Sequence, residues 1–147
     1  MEKKEFLDVS REYFKSIGFQ TLKKSKFYYE SNELVLRVEL FHSNYDEYYY
    51  IDYFIILKSL HNDGIFEDLN GDVSGRVVWD EKRCFDVKYT LLKKEEYMNS
   101  LKYLSNQQIL PIVKDGINYV KKLVNNSKAV GVYIFFIKDD KERILSL

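Results

Sequence analysis

The 147 residues suit one domain, and their 23 basic and 23 acidic side chains cancel to a formal net charge of zero. That balance argues against a nucleic-acid binder working by phosphate neutralisation, which needs a basic surface excess. Hydrophobic residues at 46% and charged residues at 31% give the profile of a folded globule, and the single cysteine, Cys84, excludes an internal disulfide or a cysteine-built zinc site.

The opening stretch MEKKEFLDVSREYF is charged throughout and lacks the apolar centre of a signal peptide. The longest apolar run, AVGVYIFFI, is far short of the roughly 20 residues of a membrane helix, so a cytoplasmic protein is expected. Thirteen tyrosines and ten phenylalanines favour pleated, half-buried surfaces and hence much strand.

In chain order, Phe6, Val9, Tyr13 and Ile17 recur at helical spacing and predict a helix over 2–17, stopped by Gly18. KFYYE (26–30) predicts a first strand, turned at Ser31-Asn32, and ELVLRVELF (33–41) a second. In the second, Leu34, Leu36, Val38 and Leu40 share a core face, while Val35, Arg37, Glu39 and Phe41 share the other. After the link HSNYDE, the strand YYYIDYFIIL (48–57) divides the same way: Tyr49, Ile51, Tyr53, Ile55 and Leu57 inward, Tyr48, Tyr50, Asp52, Phe54 and Ile56 outward. Keeping core beside core allows a register that sets Phe41 opposite Tyr48, Glu39 opposite Tyr50, Arg37 opposite Asp52 and Val35 opposite Phe54.

Residues 58–75 are polar and glycine-punctuated, and predict a long loop of the kind that tends to be functional. RVVWD (76–80) and CFDVKYTLL (84–92) predict a second hairpin, with Phe85, Val87, Tyr89 and Leu91 facing in. A helix is predicted over 93–104. The capping-box pattern SNQQ (105–108) would restart a helix to about Val124, with Pro111 in its first turn. AVGVYIFFIKD (129–139), apolar on both faces, predicts an interior strand, and the tail DKERILSL stays open. The expected fold over 1–147 is a single α+β domain: a mainly antiparallel sheet of about five to six strands, with an N-terminal helix and one or two late helices packed on one face.

The opening helix ending in IGF (17–19), KFYYES (26–31), LVLRVELF (34–41), YYYIDYFI (48–55) and ILPIVKDGI (109–117) together resemble the bacterial domain-of-unknown-function family 4304. The resemblance spans roughly residues 5 to 125 and carries no catalytic residues with it. At fold level only, small α+β proteins of this kind also resemble immunity proteins that block secreted toxins.

Chemistry-bearing residues are sparse. His42 lies near Asp46 and Glu47, and His61 near Asp63, in patterns that surface loops share with general bases. DLNGDVSGRVVW starts like a calcium loop but has Val73 where glycine belongs and Trp79 where the bidentate glutamate belongs, so a turn is expected there and no metal site. Cys84 opens an alternating strand, which suits a structural thiol. No phosphate loop, dinucleotide fingerprint, nucleophile elbow or zincin helix is present, which disfavours an enzyme and assigns no catalytic residue and no cofactor.

The outward face of the tyrosine strand remains. Arg37, Phe41, Tyr48, Tyr50 and Asp52, with Tyr45 beside them, form the expected binding residues, because Tyr and Arg join large apolar area to directed hydrogen bonding. Three functions stay open. The first is a small cytoplasmic protein-interaction module of immunity-like or regulatory type, binding a protein partner and neither nucleic acid nor membrane. The second is an enzyme or small-ligand binder with a pocket between the sheet and the 58–75 loop, its first suspects His61, Asp63 and Arg76. The third is a homodimer paired through the sheet.

Overall fold

The structure, a computed structural model, describes residues 1–61, 64, 70–126, 134–136 and 140–147. Helix α1 (Lys3–Ser16) forms on the expected apolar stripe and buries Phe6, Val9, Ser10 and Phe14. It stops at Gly18, whose φ of +96° is readily adopted only by glycine, and the Gly18 and Phe19 amides donate back to the carbonyls of Lys15 and Phe14 at 3.1 and 2.9 Å. The strands β1 (Gln20–Lys23), β2 (Lys26–Glu30), β3 (Leu34–His42), β4 (Tyr49–Leu57) and β5 (Val73–Arg76) follow. Next come a small hairpin of β6 (Val78–Asp80) and β7 (Arg83–Cys84), helices α2 (Lys94–Gln108), α3 (Leu110–Asp115) and α4 (Ile117–Asn126), strand β8 (Ile134–Phe136) and helix α5 (Lys141–Leu145).

The main sheet has the order β1-β2-β3-β4-β5-β8, every pairing is antiparallel, and β6-β7 stand apart as a second sheet. The α+β class, the single layer of helices and the mainly antiparallel sheet agree with the sequence. One sheet face carries Phe27, Leu34, Leu36, Val38, Leu40, Tyr49, Ile51, Tyr53, Ile55, Leu57 and Val73, all buried. These side chains join one cluster with Phe6 and Phe14 of α1, Tyr97, Leu101 and Leu104 of α2, Ile112 of α3, Val120 and Val124 of α4, and Ile144 of α5. The described helices therefore all pack on this face.

Aromatic packing fixes α1 to the sheet. The Phe6 ring centre lies 5.0, 5.6 and 5.1 Å from those of Tyr49, Tyr89 and Tyr97, and such pairs contribute about 0.5–1.5 kcal/mol each beyond area burial. The α1–α2 seam is closed by polar groups that would otherwise be stranded: Ser10 Oγ and Tyr97 Oη are 2.6 Å apart, and the Tyr13 hydroxyl bonds that of Ser105.

Several expectations are corrected. The β3–β4 register sets Phe41 opposite Tyr50, Glu39 opposite Asp52, Arg37 opposite Phe54 and Val35 opposite Ile56, two residues from the expected one with the faces unchanged. The cause is a tighter turn, in which the Ser43 amide donates to the Tyr48 carbonyl at 2.9 Å and only residues 44–47 remain outside the ladder. The Tyr45 and Tyr48 amides are held there by Ser43 Oγ and Asp46 Oδ1 at 3.2 and 3.1 Å.

The expected 58–75 loop gives up its end to β5. The alternation predicted over 84–92 breaks after Val87, because the chain enters a 3-10 turn at Tyr89–Leu91 and leaves Leu91 74% exposed. No helix restarts at Ser105. Instead α2 runs through Gln108 and breaks at Ile109, with Pro111 in the first turn of α3 and Gly116, at φ +55°, between α3 and α4. The part of 129–139 that is described, β8, pairs with β5 and stands, among the described strands, at the end of the sheet rather than in its interior. The rest of that stretch, with Asp63, Glu67 and Asp68, lies outside the described residues.

Candidate functional site: the outer sheet face

Alternation along β2 to β5 puts Lys26, Tyr28, Val35, Arg37, Glu39, Phe41, Tyr50, Asp52, Phe54, Ile56, Ser74 and Arg76 on the face opposite the helices. Val35 and Ile56, at the end where the chain leaves for residues 58–72, are buried, while Phe41 at the other end is 42% exposed. The α5 helix joins the core cluster and β8 extends the sheet in its own plane, so neither of these C-terminal elements covers this face.

Arg76 is the centre of the open end. It sits opposite Asp52 in the β4–β5 ladder and donates to it twice, Nε to Oδ1 at 2.7 Å and Nη2 to Oδ2 at 3.1 Å. Its guanidinium carbon lies 4.2 Å from the Tyr50 ring centre and 5.6 Å from that of Phe41, which are themselves cross-strand partners. A bidentate carboxylate thus holds the plane of a cation against two aromatic faces. The Asp52 hydrogen bonds keep the Arg76 pKa above its ordinary value. Burial, followed by the charges of Asp46 and Asp86, pushes the Tyr50 phenol up. Arg76 remains 29% exposed and Asp52 16%, so the stack can be reached from solvent.

Arg37 and Asp52, expected to face each other, share the face but not a rung. Arg37 lies over the Phe54 ring at 5.0 Å and 3.2 Å from Glu39 Oε1, and Glu39 also lies 3.6 Å from Lys26 Nζ. A hollow of about 470 Å³ opens here, lined by Leu22, Lys23, Lys26, Arg37, Glu39, Phe54 and Asn70. Of the expected binding residues, the structure brings Phe41, Tyr50 and Asp52 together around Arg76. Arg37 belongs to the neighbouring hollow, and Tyr48 is half-buried next to the turn that presents the exposed Tyr45. Arg76 was legible only as a pocket suspect. Reading VSGR as a strand, with Val73 and Gly75 inward, would have placed it on this face.

The pocket suspects separate. His61 Nε2 lies 2.9 and 3.0 Å from the two Asp72 oxygens, and Asp72 Oδ2 also accepts the Leu57 amide at 2.7 Å. Arg76 is committed to Asp52 instead. Among the described residues no three His, Cys, Asp or Glu side chains are grouped as a metal site would need, and no helix is long and apolar enough to cross a membrane. Cys84 is half-buried opposite Val78. No family model, curated protein or solved structure matches the chain.

Proposed function

We propose that the protein is a small interaction module, of regulatory or immunity-like type, that binds a partner protein through its outer sheet face. The observation supporting this reading is the Arg76 stack. An arginine pre-oriented by Asp52 over Tyr50 and the exposed Phe41 has the composition and rigidity of an interface hot spot. Its side-chain entropy is already spent within the fold, so little more is lost on docking.

The test is site-specific photocrosslinking in cells, with a benzophenone amino acid at Phe41 and, as control, at Lys102 on the solvent side of α2. A partner captured from Phe41 and not from Lys102 supports the reading; equal capture from both positions refutes it. One observation favours a second reading as a small-ligand binder: the His61–Asp72 pair, which ties together two points of the 58–72 segment. Ligand-induced thermal shifts that survive His61→Ala would remove it.

A further inference from the structure

We propose that a recess on the helix side of the sheet, at the turn end of the β3–β4 hairpin, binds a small aromatic carboxylate. The recess holds about 380 Å³ and is lined by Lys3, His42, Glu47, Tyr49, Tyr89 and Thr90. That volume lies in the roughly 300–1,000 Å³ span of small-molecule sites. Alternation along β3 puts His42 on the face of Leu40, opposite Tyr49, so the recess is separate from the outer face that carries Arg76. It also sits at the far end of β4 from the 58–72 segment, where the sequence predicts a pocket. Its walls are braced from within the fold. The His42 and Tyr49 ring centres are 4.9 Å apart and those of Tyr49 and Tyr89 6.0 Å. Fully buried Phe6 packs on both tyrosines at 5.0 and 5.6 Å, and backbone hydrogen bonds of 2.8 and 2.7 Å join Tyr49 to Val87.

The polar groups of these walls are open to an occupant. Tyr49 is only 8% exposed, yet its hydroxyl bonds no described residue. Nor is that oxygen sealed off from solvent, so it reaches the recess that its ring lines. Buried polar groups are normally satisfied, and an acceptor held in the recess would satisfy this one. The Tyr89 hydroxyl, the His42 imidazole and the Lys3 ammonium likewise make no hydrogen bond or ion pair with a described residue. Glu47 is 79% exposed, and Lys88 Nζ meets it at 3.2 Å. Lys3 can only donate, a tyrosine hydroxyl donates or accepts, and a neutral imidazole supplies one donor. The set therefore suits a carboxylate, and the three rings suit a flat apolar body attached to it. An ammonium ligand fits less well, because Glu47 is already paired.

The probes are benzoate, 4-hydroxybenzoate and phenylacetate, titrated into isotope-labelled protein and followed by amide and side-chain chemical shifts. Acetate supplies the carboxylate without the ring, and benzamide the ring without the charge. The expected result is saturable shifts at Lys3, His42, Tyr49, Tyr89 and Thr90 with at least one aromatic acid. Acetate and benzamide should bind at least about tenfold more weakly. Tyr49→Phe removes only a hydroxyl that bonds nothing described in the fold, so it should melt like the native protein and bind about two- to tenfold more weakly. Lys3→Gln should weaken binding by about tenfold or more. No saturable shift at these residues with any of the three acids would overturn the inference. Acetate or benzamide binding as tightly as the acids would overturn it too, because ring and charge would then not be read together. Unchanged affinity in either variant would show that the recess is not what holds the acid.

Discussion

Gly75 is where the sheet has least room, and Gly75→Ala makes a quantitative test of the β4–β5 packing. Gly75 stands opposite Tyr53, whose ring lies over it. A Cβ built at Gly75 would meet Tyr53 Cζ and Oη at 2.4 Å and Cε2 at 2.8 Å. Carbon atoms pack at about 3.5–4.0 Å, so the ring would have to retreat by roughly 1 Å or more. Tyr53 is only 3% exposed and has no slack to do so. Overpacking of this kind costs about 1–3 kcal/mol, whereas removing a glycine from a strand returns about 0.5–1 kcal/mol through the unfolded chain. The clash wins, and Gly75→Ala should destabilise by about 1–2 kcal/mol in urea unfolding at an unchanged m-value. In a Tyr53→Leu background the same substitution should be neutral or stabilising, with a coupling of at least about 1 kcal/mol. Additive costs in that cycle would show that the ring does not rest on Gly75, and the β5 register would have to be redrawn.

Three further outcomes follow from the same geometry. Burial raises the pKa of Tyr53 and Tyr97 above the ordinary 10.0. The unfolded chain therefore releases these protons first, and stability present below pH 10 is lost as pH rises, by about 1.4 kcal/mol per pH unit for each buried phenol. Tyrosinate absorbance at these two sites should appear together with loss of circular dichroism; ionisation of all thirteen tyrosines with the fold intact would contradict this. The Gln108 amide bridges the β6–β7 hairpin to α2, accepting the Val78 amide at 2.9 Å and donating to its carbonyl at 2.7 Å. Gln108→Leu should cost about 1–3 kcal/mol and speed Val78 hydrogen exchange, and an unchanged exchange rate would show that the bridge holds nothing. Arg76→Met keeps apolar contact with Tyr50 but strands Asp52, and should cost about 1–2 kcal/mol, intermediate between exposed and buried pairs. Adding Asp52→Asn should recover part of that loss, and a double-mutant cycle with no coupling would count against the pair.

The sequence carried the parity of the sheet well and its register poorly. Alternation in β3 and β4 assigns every side chain to its face because a one-residue slip would expose the whole core. A two-residue slip costs no burial, so only the turn chemistry of Ser43 and Asp46 decides it, and that signal is short-range and polar. For the same reason alternation alone does not decide whether Arg37 stands opposite Asp52 or Phe54, and it leaves Arg76 unassigned as the partner of Asp52. β5 was hidden because Gly71, Asp72, Ser74 and Gly75 are turn residues by composition. Gly75 is there to admit the Tyr53 ring, a tertiary requirement that no local pattern states. The SNQQ motif misled in the opposite sense. Ser105 is buried in the last turn of α2 and bonded to the Tyr13 hydroxyl, so a capping pattern serves helix-to-helix packing.

The four-residue connection at 44–47 also bears on how this surface could change over time. A slip of one residue between the two strands would turn one of them inside out. A slip of two would keep every side chain on its own face and slide the inner and outer rows alike, exchanging which groups stand side by side on both. The hairpin thus resembles a combination dial that clicks in steps of two. It offers a lineage new outward combinations with the inside–outside division of the strands intact, provided the inner row repacks.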